Sequence, residues 1–218
     1  RAKERWPVVY LTGVREFWSM QFGVTPDVLI PRPETETLVR VAVDLKPRRV
    51  AELGIGSGCV SAALARELPD AEIVALDCSP AALEIARQNL AELGFADRVT
   101  LVEASGLGEL SGPFDLVVSN PPYVQEGDLA GLAPELRHEP RVALDGGPDG
   151  LHAVRRLCAE APALLEKLRH AAGDARVHVI DAQAIAQLLF GDTLPSNILM
   201  LGAAWRHDRH DGCHSRPA

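Results

Sequence analysis

The strongest constraint on the fold is a glycine-rich turn between a predicted buried strand and a predicted helix. Residues 52–58 read Glu-Leu-Gly-Ile-Gly-Ser-Gly and separate the apolar run Val50–Leu53 from the helical pattern Cys59–Leu68. Alternate glycines allow positive φ angles and let backbone amides approach a ligand at a helix N-terminus. A chain with such a turn is expected to form an α/β fold that binds a ligand at the carboxyl end of a strand.

Strand and helix patterns alternate along the chain after this turn. Short runs of apolar and β-branched residues are separated by longer stretches with apolar residues at helical spacing. Strands are predicted at Val50–Leu53, Glu72–Leu76, Val99–Glu103 and Phe114–Ser119, and a second helix at Pro80–Leu93. The alternation predicts a Rossmann-like parallel sheet with flanking helices, preceded by a short hairpin within Pro7–Phe22.

The later part of the chain carries weaker signals. A helix, a strand and a further helix are predicted at Leu151–Ala171, Arg176–Ile180 and Ala182–Phe190. We divide the chain into a hairpin and connector (residues 1–40), a core (residues 41–172) and a C-terminal segment with a polar tail (residues 173–218). The stretch from Tyr123 to Gly150 is a long loop, and loops of that length in a compact domain are usually functional.

Composition and charge narrow the choice of partners. The 218 residues are 47% hydrophobic and carry a net charge of −8, which favours a protein or small-molecule partner over nucleic acid. No apolar run approaches the roughly 20 residues that a membrane span needs. The four cysteines lack CxxC spacing, which is typical of reduced thiols in the cytoplasm. The chain opens on Arg1 without a signal-type apolar run, and we expect its natural start to lie upstream.

An acidic residue follows the glycine turn at a distance suited to a nucleoside. Asp77 ends the second predicted strand, 19 residues after Gly58. A carboxylate there can accept hydrogen bonds from two ribose hydroxyls. The third glycine comes one residue earlier than in GxGxxG, which argues against a turn that binds a dinucleotide pyrophosphate. The alternative is that Asp77 only caps the helix at Pro80, although Ser79 is itself a good N-cap.

A second motif, Asn120-Pro121-Pro122-Tyr123, follows the fourth predicted strand. The prolines remove backbone donors and fix the chain so that carbonyl oxygens point into the cleft. An amide or exocyclic amine has two N–H donors, for which the Asn120 side-chain oxygen and the Pro121 carbonyl are two acceptors. Holding both hydrogens aims the nitrogen at an incoming methyl group, so catalysis comes from orientation and charge stabilisation. Tyr123 offers an aromatic face to the planar group; the alternative is a plain Asn-Pro turn.

With these motifs in order, the chain resembles the class I methyltransferases of the amino type, and specifically the peptide chain release factor N5-glutamine methyltransferases. The resemblance covers Pro7–Leu165. Its further carriers are Tyr10–Gly13, Arg15–Trp18, Leu29–Glu36, Ala143–Gly147 and Asp149–Leu151.

The resemblance implies a cofactor, S-adenosyl-L-methionine, and a protein substrate, the glutamine of the Gly-Gly-Gln motif in a release factor. It implies cofactor contacts from Gly54, Ile55, Gly56, Ser57, Gly58, Asp77, Ser105 and Asn120. It implies substrate contacts from Arg32, Glu34, Asn120, Pro121, Pro122 and Tyr123, and catalytic roles for Asn120, Pro121 and Tyr123. Arg32 and Glu34 can equally form a local ion pair. No metal is expected in the site.

The chain departs from the family pattern at three places. The family often has a Gly-Asp pair after the third strand, whose carboxylate reaches the adenine amine; Ala104-Ser105 stands there instead, which bears on cofactor affinity. The helical substrate-docking domain that precedes the hairpin in the family is missing from this sequence. The segment Pro195–Trp205 is similar to the C-terminal part of indolepyruvate ferredoxin oxidoreductases, so the last strands are predicted to be atypical.

Two other functions stay open at this point. An adenine amino methyltransferase acting on nucleic acid would use the same acceptors for a planar amine, but it predicts a basic face and a recognition segment that the sequence does not display. An inactive nucleoside-binding remnant is the other, motivated by Ala104 and the altered C-terminal segment. Among glutamine methyltransferases, one that acts on a ribosomal protein is the related alternative.

Two further segments carry histidines. The tail residues His207, His210, Cys213 and His214 suggest zinc, but no paired motif accompanies them. His138–Glu139 lies in the long loop and is expected to order that loop over a bound peptide.

Overall fold

A computed structural model describes residues 5–111, 114–160, 177–181 and 201–205. Its α-helices are α1 Val8–Thr12, α2 Glu36–Leu45, α3 Cys59–Glu67 and α4 Pro80–Glu92, and residues 152–160 are helical as well and are called α5. Its strands are β1 Val14–Phe17, β2 Met20–Gly23, β3 Arg49–Leu53, β4 Glu72–Asp77, β5 Val99–Glu103, β6 Leu116–Ser119, β7 Val177–Asp181 and β8 Leu201–Trp205. Short 3-10 helices occupy Pro33–Thr35, Leu107–Glu109, Glu126–Gly131, Pro134–His138 and Arg141–Ala143.

Six strands form one sheet in the order β5-β4-β3-β6-β8-β7. The first four are parallel to one another, β8 pairs antiparallel with β6, and β7 pairs antiparallel with β8. Strands β1 and β2 form a separate antiparallel hairpin. The predicted Rossmann-like α/β fold is therefore confirmed.

The parallel strands are apolar on both faces, which is typical of a sheet covered on both sides. Val50, Ile73 and Leu116 face a core that also contains the buried sides of α2, α3 and α4. Their chain neighbours, such as Ala51 and Val117, face a second core with Leu107, Phe114 and Leu157. Because successive side chains of a strand point to opposite faces, the two cores follow from unbroken apolar runs in the sequence.

One buried side-chain amide, that of Asn89, connects the end of the hairpin to helix α4 and to the glycine turn. The hairpin's own turn at Trp18 and Ser19 has positive φ angles of 52° and 55°. Asn89 of α4 accepts from the Gly23 amide at 2.7 Å and donates to the Gly23 carbonyl at 2.9 Å. The same side-chain nitrogen donates to the Ser57 carbonyl at 2.8 Å. Asn89 thus joins the hairpin to the glycine turn.

Helix α4 begins as the sequence predicted. The Ser79 hydroxyl accepts from the Ala82 amide at 3.2 Å, and Pro80 occupies the first helical position. This arrangement satisfies an amide that would otherwise lack a partner in the first turn. The N-cap of this helix is therefore Ser79, while the carboxylate of Asp77 accepts from the Ser79 and Gly56 amides.

Several predicted boundaries differ from the structure. Strand β6 begins at Leu116 rather than Phe114, because the Asp115 carboxylate accepts from the Arg48 and Arg49 amides and Phe114 packs under the Arg49 guanidinium. The region predicted as a hairpin starts with helix α1, and helix α2, which was not predicted, crosses residues 40 and 41.

The C-terminal predictions are covered only in part. The predicted strand Arg176–Ile180 is β7, one residue later, and β8 lies between it and β6. Of the predicted helix Leu151–Ala171, residues 152–160 are helical and the rest lies outside the described residues. The predicted helix Ala182–Phe190 and the histidine-bearing tail also lie outside them. Within the described residues, no helix combines the length and the apolar character that crossing a bilayer requires.

Candidate active site

A cleft of about 410 Å³ opens at the carboxyl edge of the parallel strands. Its walls come from the ends of β3, β4, β5 and β6, together with residues from the loop before α2 and from the long loop before α5. A volume of this size accommodates a nucleoside-sized ligand. Of the predicted site residues, Arg32, Gly54, Ile55, Gly56, Ser57, Asp77, Ser105, Asn120, Pro121 and Pro122 line the cleft. Glu34, Gly58 and Tyr123 are not among its lining residues.

The backbone conformation of the glycine turn explains why glycine occupies three of its positions. Gly54, Gly56 and Gly58 have φ angles of 80°, 54° and 83°, which residues with a Cβ rarely adopt. A Cβ on Gly54 or Gly56 would meet no atom within 4 Å, so both positions border open space in the cleft. A Cβ on Gly58 would instead lie 3.4 Å from Ala86 of α4, and Gly58 is the N-cap residue of α3. Its role is therefore in packing the turn against α4.

Asp77 is held by two backbone amides. One carboxylate oxygen accepts from the Gly56 amide at 3.0 Å and the other from the Ser79 amide at 3.0 Å. Each carboxylate oxygen has a second lone pair, so the group can still accept hydrogen bonds from a ligand in the cleft. The carboxylate is thus oriented by the glycine turn itself.

Glu52 is a buried carboxyl beside Asp77 that the sequence reasoning did not single out. It is 3% exposed, lines the cleft and accepts a hydrogen bond from the Ser61 hydroxyl. Burial, opposed by the bond from Ser61, raises the pKa of Glu52 to about 8. Its position before the first glycine was visible in the sequence, but its complete burial depends on α3 packing over it.

The Asn120 side chain is oriented by a residue far away in the sequence. Its amide nitrogen donates to the Thr35 hydroxyl at 3.4 Å, which leaves the amide oxygen as the acceptor that Asn120 offers to the cleft. Thr35 is buried and lines the same cleft. The Ser119 hydroxyl donates to the Leu53 carbonyl at 2.7 Å and joins the ends of β6 and β3. Thr35 carries no sequence signal beyond its place in the Pro31–Glu36 segment.

The long loop packs against the backbone of Tyr123. The Val124 amide donates to the Leu144 carbonyl, and the Gly146 amide donates to the Val124 carbonyl. A Cβ on Gly150 would lie 2.5 Å from the Tyr123 carbonyl oxygen, and one on Gly146 would lie 2.8 Å from the Tyr123 Cα. These two glycines are needed because the loop runs directly over the tetrapeptide.

Arg32 pairs with Glu139 and not with Glu34. The Glu139 side chain is almost completely buried, and it also accepts from the Ile30 amide at 3.1 Å. The proposed local pair of Arg32 with Glu34 is therefore wrong, because Glu34 is exposed and Glu139 reaches Arg32 from the long loop. His138 beside it stacks on Trp6 at 4.1 Å.

Tyr123 is half-buried next to this ion pair. Burial raises the pKa of its phenol, and the charge of Arg32 opposes that rise while the charges of Glu34 and Glu139 add to it. The phenol therefore stays neutral and able to donate a hydrogen bond at neutral pH.

At the other end of the cleft, Ser105 is exposed and follows β5. Its hydroxyl accepts from Arg156 of α5 at 3.3 Å. Among the described residues, no group of three or more His, Cys, Asp or Glu side chains is placed to hold a metal ion.

A parallel sheet covered by helices on both faces, with a glycine turn and a carboxylate at the carboxyl edge of adjacent strands, defines a Rossmann-like domain of the class I methyltransferase type. The family of the Methyltransferase small domain matches residues 33–168. The release factor glutamine methyltransferase of Moorella thermoacetica is 48% identical over 165 residues, which are 73% of this chain and 58% of that protein. That of Cereibacter sphaeroides is 41% identical over 192 residues, which are 84% of this chain and 69% of that protein.

The chain belongs to the Methyltransferase small domain family and, within it, to the release factor glutamine methyltransferases. It spans about three fifths of the length of most of the curated relatives it matches. Among solved structures, the hMettl16 catalytic domain in complex with a MAT2A 3'UTR hairpin has a TM-score of 0.58 at 16% identity, covering 89% of this chain and 78% of that one. That likeness concerns the fold alone.

Proposed function

We propose that the chain is an S-adenosyl-L-methionine-dependent methyltransferase that methylates the side-chain amide of a protein glutamine, in the Gly-Gly-Gln motif of a peptide chain release factor. The observation that carries this proposal is the orientation of Asn120, whose amide nitrogen is bound to Thr35 so that its oxygen is offered to the cleft. The named function of the relatives in two bacterial genera supports the same substrate. A cytoplasmic location follows from a substrate that acts on ribosomes.

The residues present fit the cofactor. Gly54 and Gly56 border open space where a Cβ would otherwise stand, and Asp77 holds its carboxylate between two amides with acceptor capacity left for ribose hydroxyls. When bound, S-adenosyl-L-methionine supplies a methyl group on a sulfonium, so that a carbon–nitrogen bond forms as the carbon–sulfur bond breaks and the nitrogen then loses one proton. We assign the cofactor to Gly54, Ile55, Gly56, Ser57, Asp77, Ser105 and Asn120, with Gly58 packing the turn against α4.

The acceptor amide is bound on the β6 side of the cleft. The Asn120 side-chain oxygen and the Pro121 carbonyl accept its two N–H groups, which fixes the direction of the nitrogen lone pair. The same two oxygens stabilise the positive charge that develops on nitrogen. Pro122 and Arg32 line the wall over the peptide, while Glu34 and Tyr123, which do not line the cleft, are assigned to the part of the peptide beyond it. No general base acts before the transfer, because the amide proton is released after the new bond has formed.

Calorimetric titration with S-adenosyl-L-methionine, followed by transfer of its labelled methyl group, tests the proposal. We expect binding that falls by about a hundredfold in Asp77→Ala, because charge-assisted hydrogen bonds contribute on the order of 1.5 to 3 kcal/mol each. The exposed Asp97→Asn is the matched control and should bind as the unaltered chain does.

The acceptor is tested in the second measurement. We expect label in a release factor and none in a version whose Gly-Gly-Gln glutamine is replaced by alanine. Label that enters an adenine-containing oligonucleotide in preference to the release factor would instead establish a nucleic-acid amino methyltransferase. A folded chain that binds no cofactor would overturn the proposal altogether.

A further inference from the structure

The base of the cofactor must lie at the β5 end of the cleft, an inference that rests on the proposed function. The sheet order places β6 beside β3, then β4 and then β5. The methyl group has to lie near Asn120 at the end of β6, and the ribose near Asp77 at the end of β4. Since the base is attached to the ribose on the side away from the methyl group, it extends past β4 toward Ser105 at the end of β5.

One charged side chain faces the cleft at this end. Among the described residues that line the cleft here, which are Cys78, Ala104, Ser105, Ala153 and Arg156, only Arg156 carries a charge. Arg156 lies on α5, and its side chain remains 44% exposed although it lines the cleft. It is therefore within reach of a ligand and of solvent.

The Arg156 guanidinium is held in place by two contacts. Its Nε donates to the Glu160 carboxylate at 2.6 Å, and its Nη2 donates to the Ser105 hydroxyl at 3.3 Å. Glu160 is itself fixed because it accepts from the Leu107 amide at 2.7 Å. Of the five guanidinium N–H groups, these contacts among described residues use two, which leaves three for a ligand.

Gly106 makes room for this arrangement. A Cβ at Gly106 would lie 2.4 Å from Nη2 of Arg156 and 2.6 Å from Glu160. Its φ of −160° is open to any residue, so what glycine provides here is space for the ends of these two side chains and not a backbone conformation. The loop after β5 is thus shaped to let α5 bring a guanidinium to the end of the cleft.

We propose that Arg156, positioned by Glu160 and Ser105, binds the base of the cofactor by donating hydrogen bonds to its acceptor atoms. The Ser105 hydroxyl accepts from Arg156, so its own hydrogen is directed elsewhere and adds a second donor at the same place. Both groups suit the ring nitrogens of a purine. Neither selects strongly for an exocyclic amine, which requires an acceptor.

A site that offers only hydrogen-bond donors to the base predicts weak discrimination between an amine and an oxygen at position 6 of the purine. Adenine and hypoxanthine share the ring acceptors N3 and N7, and hypoxanthine carries an acceptor 6-oxygen where adenine carries the 6-amine, so the donors of Arg156 and Ser105 have a partner in either base. Titration with S-adenosyl-L-homocysteine and with S-inosyl-L-homocysteine measures the two cases directly. We expect dissociation constants within about threefold of each other for the unaltered chain, because each base satisfies the same charged donor.

Three variants separate the roles of the residues. Arg156→Met keeps an unbranched side chain suited to a helix and should weaken the binding of both ligands by about tenfold. Arg155→Met is the control, because Arg155 is the next residue on α5, pairs with Asp149 and does not line the cleft. Ser105→Asp adds an acceptor and should favour the adenosyl ligand over the inosyl ligand by about tenfold or more.

Gly106→Ala provides a second perturbation that keeps the arginine. Its Cβ pushes the guanidinium aside, and it should weaken both ligands in the same direction as Arg156→Met. A strong preference of the unaltered chain for the adenosyl ligand, or unchanged affinities in Arg156→Met, would overturn the assignment while leaving the proposed function intact. Binding of neither ligand by the folded chain would overturn both.

Discussion

The glycine turn and the Asn120–Tyr123 loop both follow strands of one sheet, but they are held by different kinds of contact. The turn is held by the β4–α4 unit that follows it in the chain: Gly54 and Ile55 donate to the Leu76 carbonyl, Gly56 donates to Asp77, and Asn89 donates to the Ser57 carbonyl. The Asn120–Tyr123 loop depends on groups distant in sequence, with Thr35 on the Asn120 amide and Gly150 under the Tyr123 carbonyl.

The difference indicates which half of the cleft tolerates substitution: the cofactor half, at the glycine turn and Asp77, or the β6 half, at Asn120–Tyr123. A site made of backbone amides and glycines needs its own strand–turn–helix unit and the β4–α4 unit that follows it. A site that depends on distant side chains requires the loop before α2 and the loop before α5 to be in place together. We therefore expect variants on the β6 side to lose much more methyl transfer than cofactor affinity.

The largest separation between the two halves is expected for Asn120→Ala. Removing the acceptor should lower kcat by about a hundredfold to a thousandfold, the range seen when one preorganised group that stabilises developing charge is lost. The dissociation constant for S-adenosyl-L-methionine should change by less than about tenfold, since Asp77 and the glycine turn remain. Single-turnover transfer and calorimetry measure the two quantities. Equal losses of kcat and of cofactor affinity would show that the two halves of the cleft are not separable.

Gly150→Ala tests the packing of the long loop on the tetrapeptide. The added Cβ meets the Tyr123 carbonyl oxygen at 2.5 Å, and Gly150 has a φ of 76°. We expect the free energy of unfolding to fall by about 2 kcal/mol, from backbone strain and from displaced contacts. Gly127→Ala is the matched control in the same loop, because a Cβ there meets nothing within 4 Å. Denaturant titration of both variants decides the matter, and equal stabilities would contradict this account of the loop.

Glu52 provides a test on the cofactor side. Burial raises its pKa from the ordinary 4.5 to about 8, so the folded protein keeps a proton that the unfolded chain releases. The stabilising effect of that proton is complete below the unfolded pKa and is lost as pH rises through the folded pKa. Between about pH 6.5 and about pH 8.5 the chain should lose about 2 kcal/mol of unfolding free energy, and Glu52→Gln should remove most of that dependence. If Glu52→Gln had the same pH profile of stability as the unaltered chain, the pH dependence would belong to other groups.

The smallest effect is expected for Thr35→Val, which keeps the shape of the side chain and removes the hydroxyl that orients Asn120. We expect kcat to fall by about tenfold, which corresponds to the loss of one hydrogen bond, with unchanged affinity for the cofactor. The exposed Thr100→Val on β5 is the control and should transfer methyl groups normally. A loss of cofactor affinity in Thr35→Val would show that this residue belongs to both halves.

Much of the cofactor side was readable in the sequence because its signals are local. The alternation of apolar runs predicted β3 to β6, and Ser79 with Pro80 predicted the start of α4. Helix α2 was not predicted because the region was read as a connector, although its Leu38, Val39 and Ala42 are buried at helical spacing. The pairing of Arg32 with Glu34 was wrong because proximity in sequence was taken for proximity in space.

By itself, the sequence determined the strand–turn–helix units, the carboxylate at the end of β4 and the Asn-Pro-Pro-Tyr motif at the end of β6, because φ preferences, capping and alternation act over a few residues. Only the tertiary structure decided that Thr35 turns the Asn120 amide, that Glu139 reaches Arg32 over more than a hundred residues, and that Arg156 stands at the end of β5. Those contacts join segments whose mutual position depends on the packing of the whole sheet and its helices, and no local pattern encodes that packing.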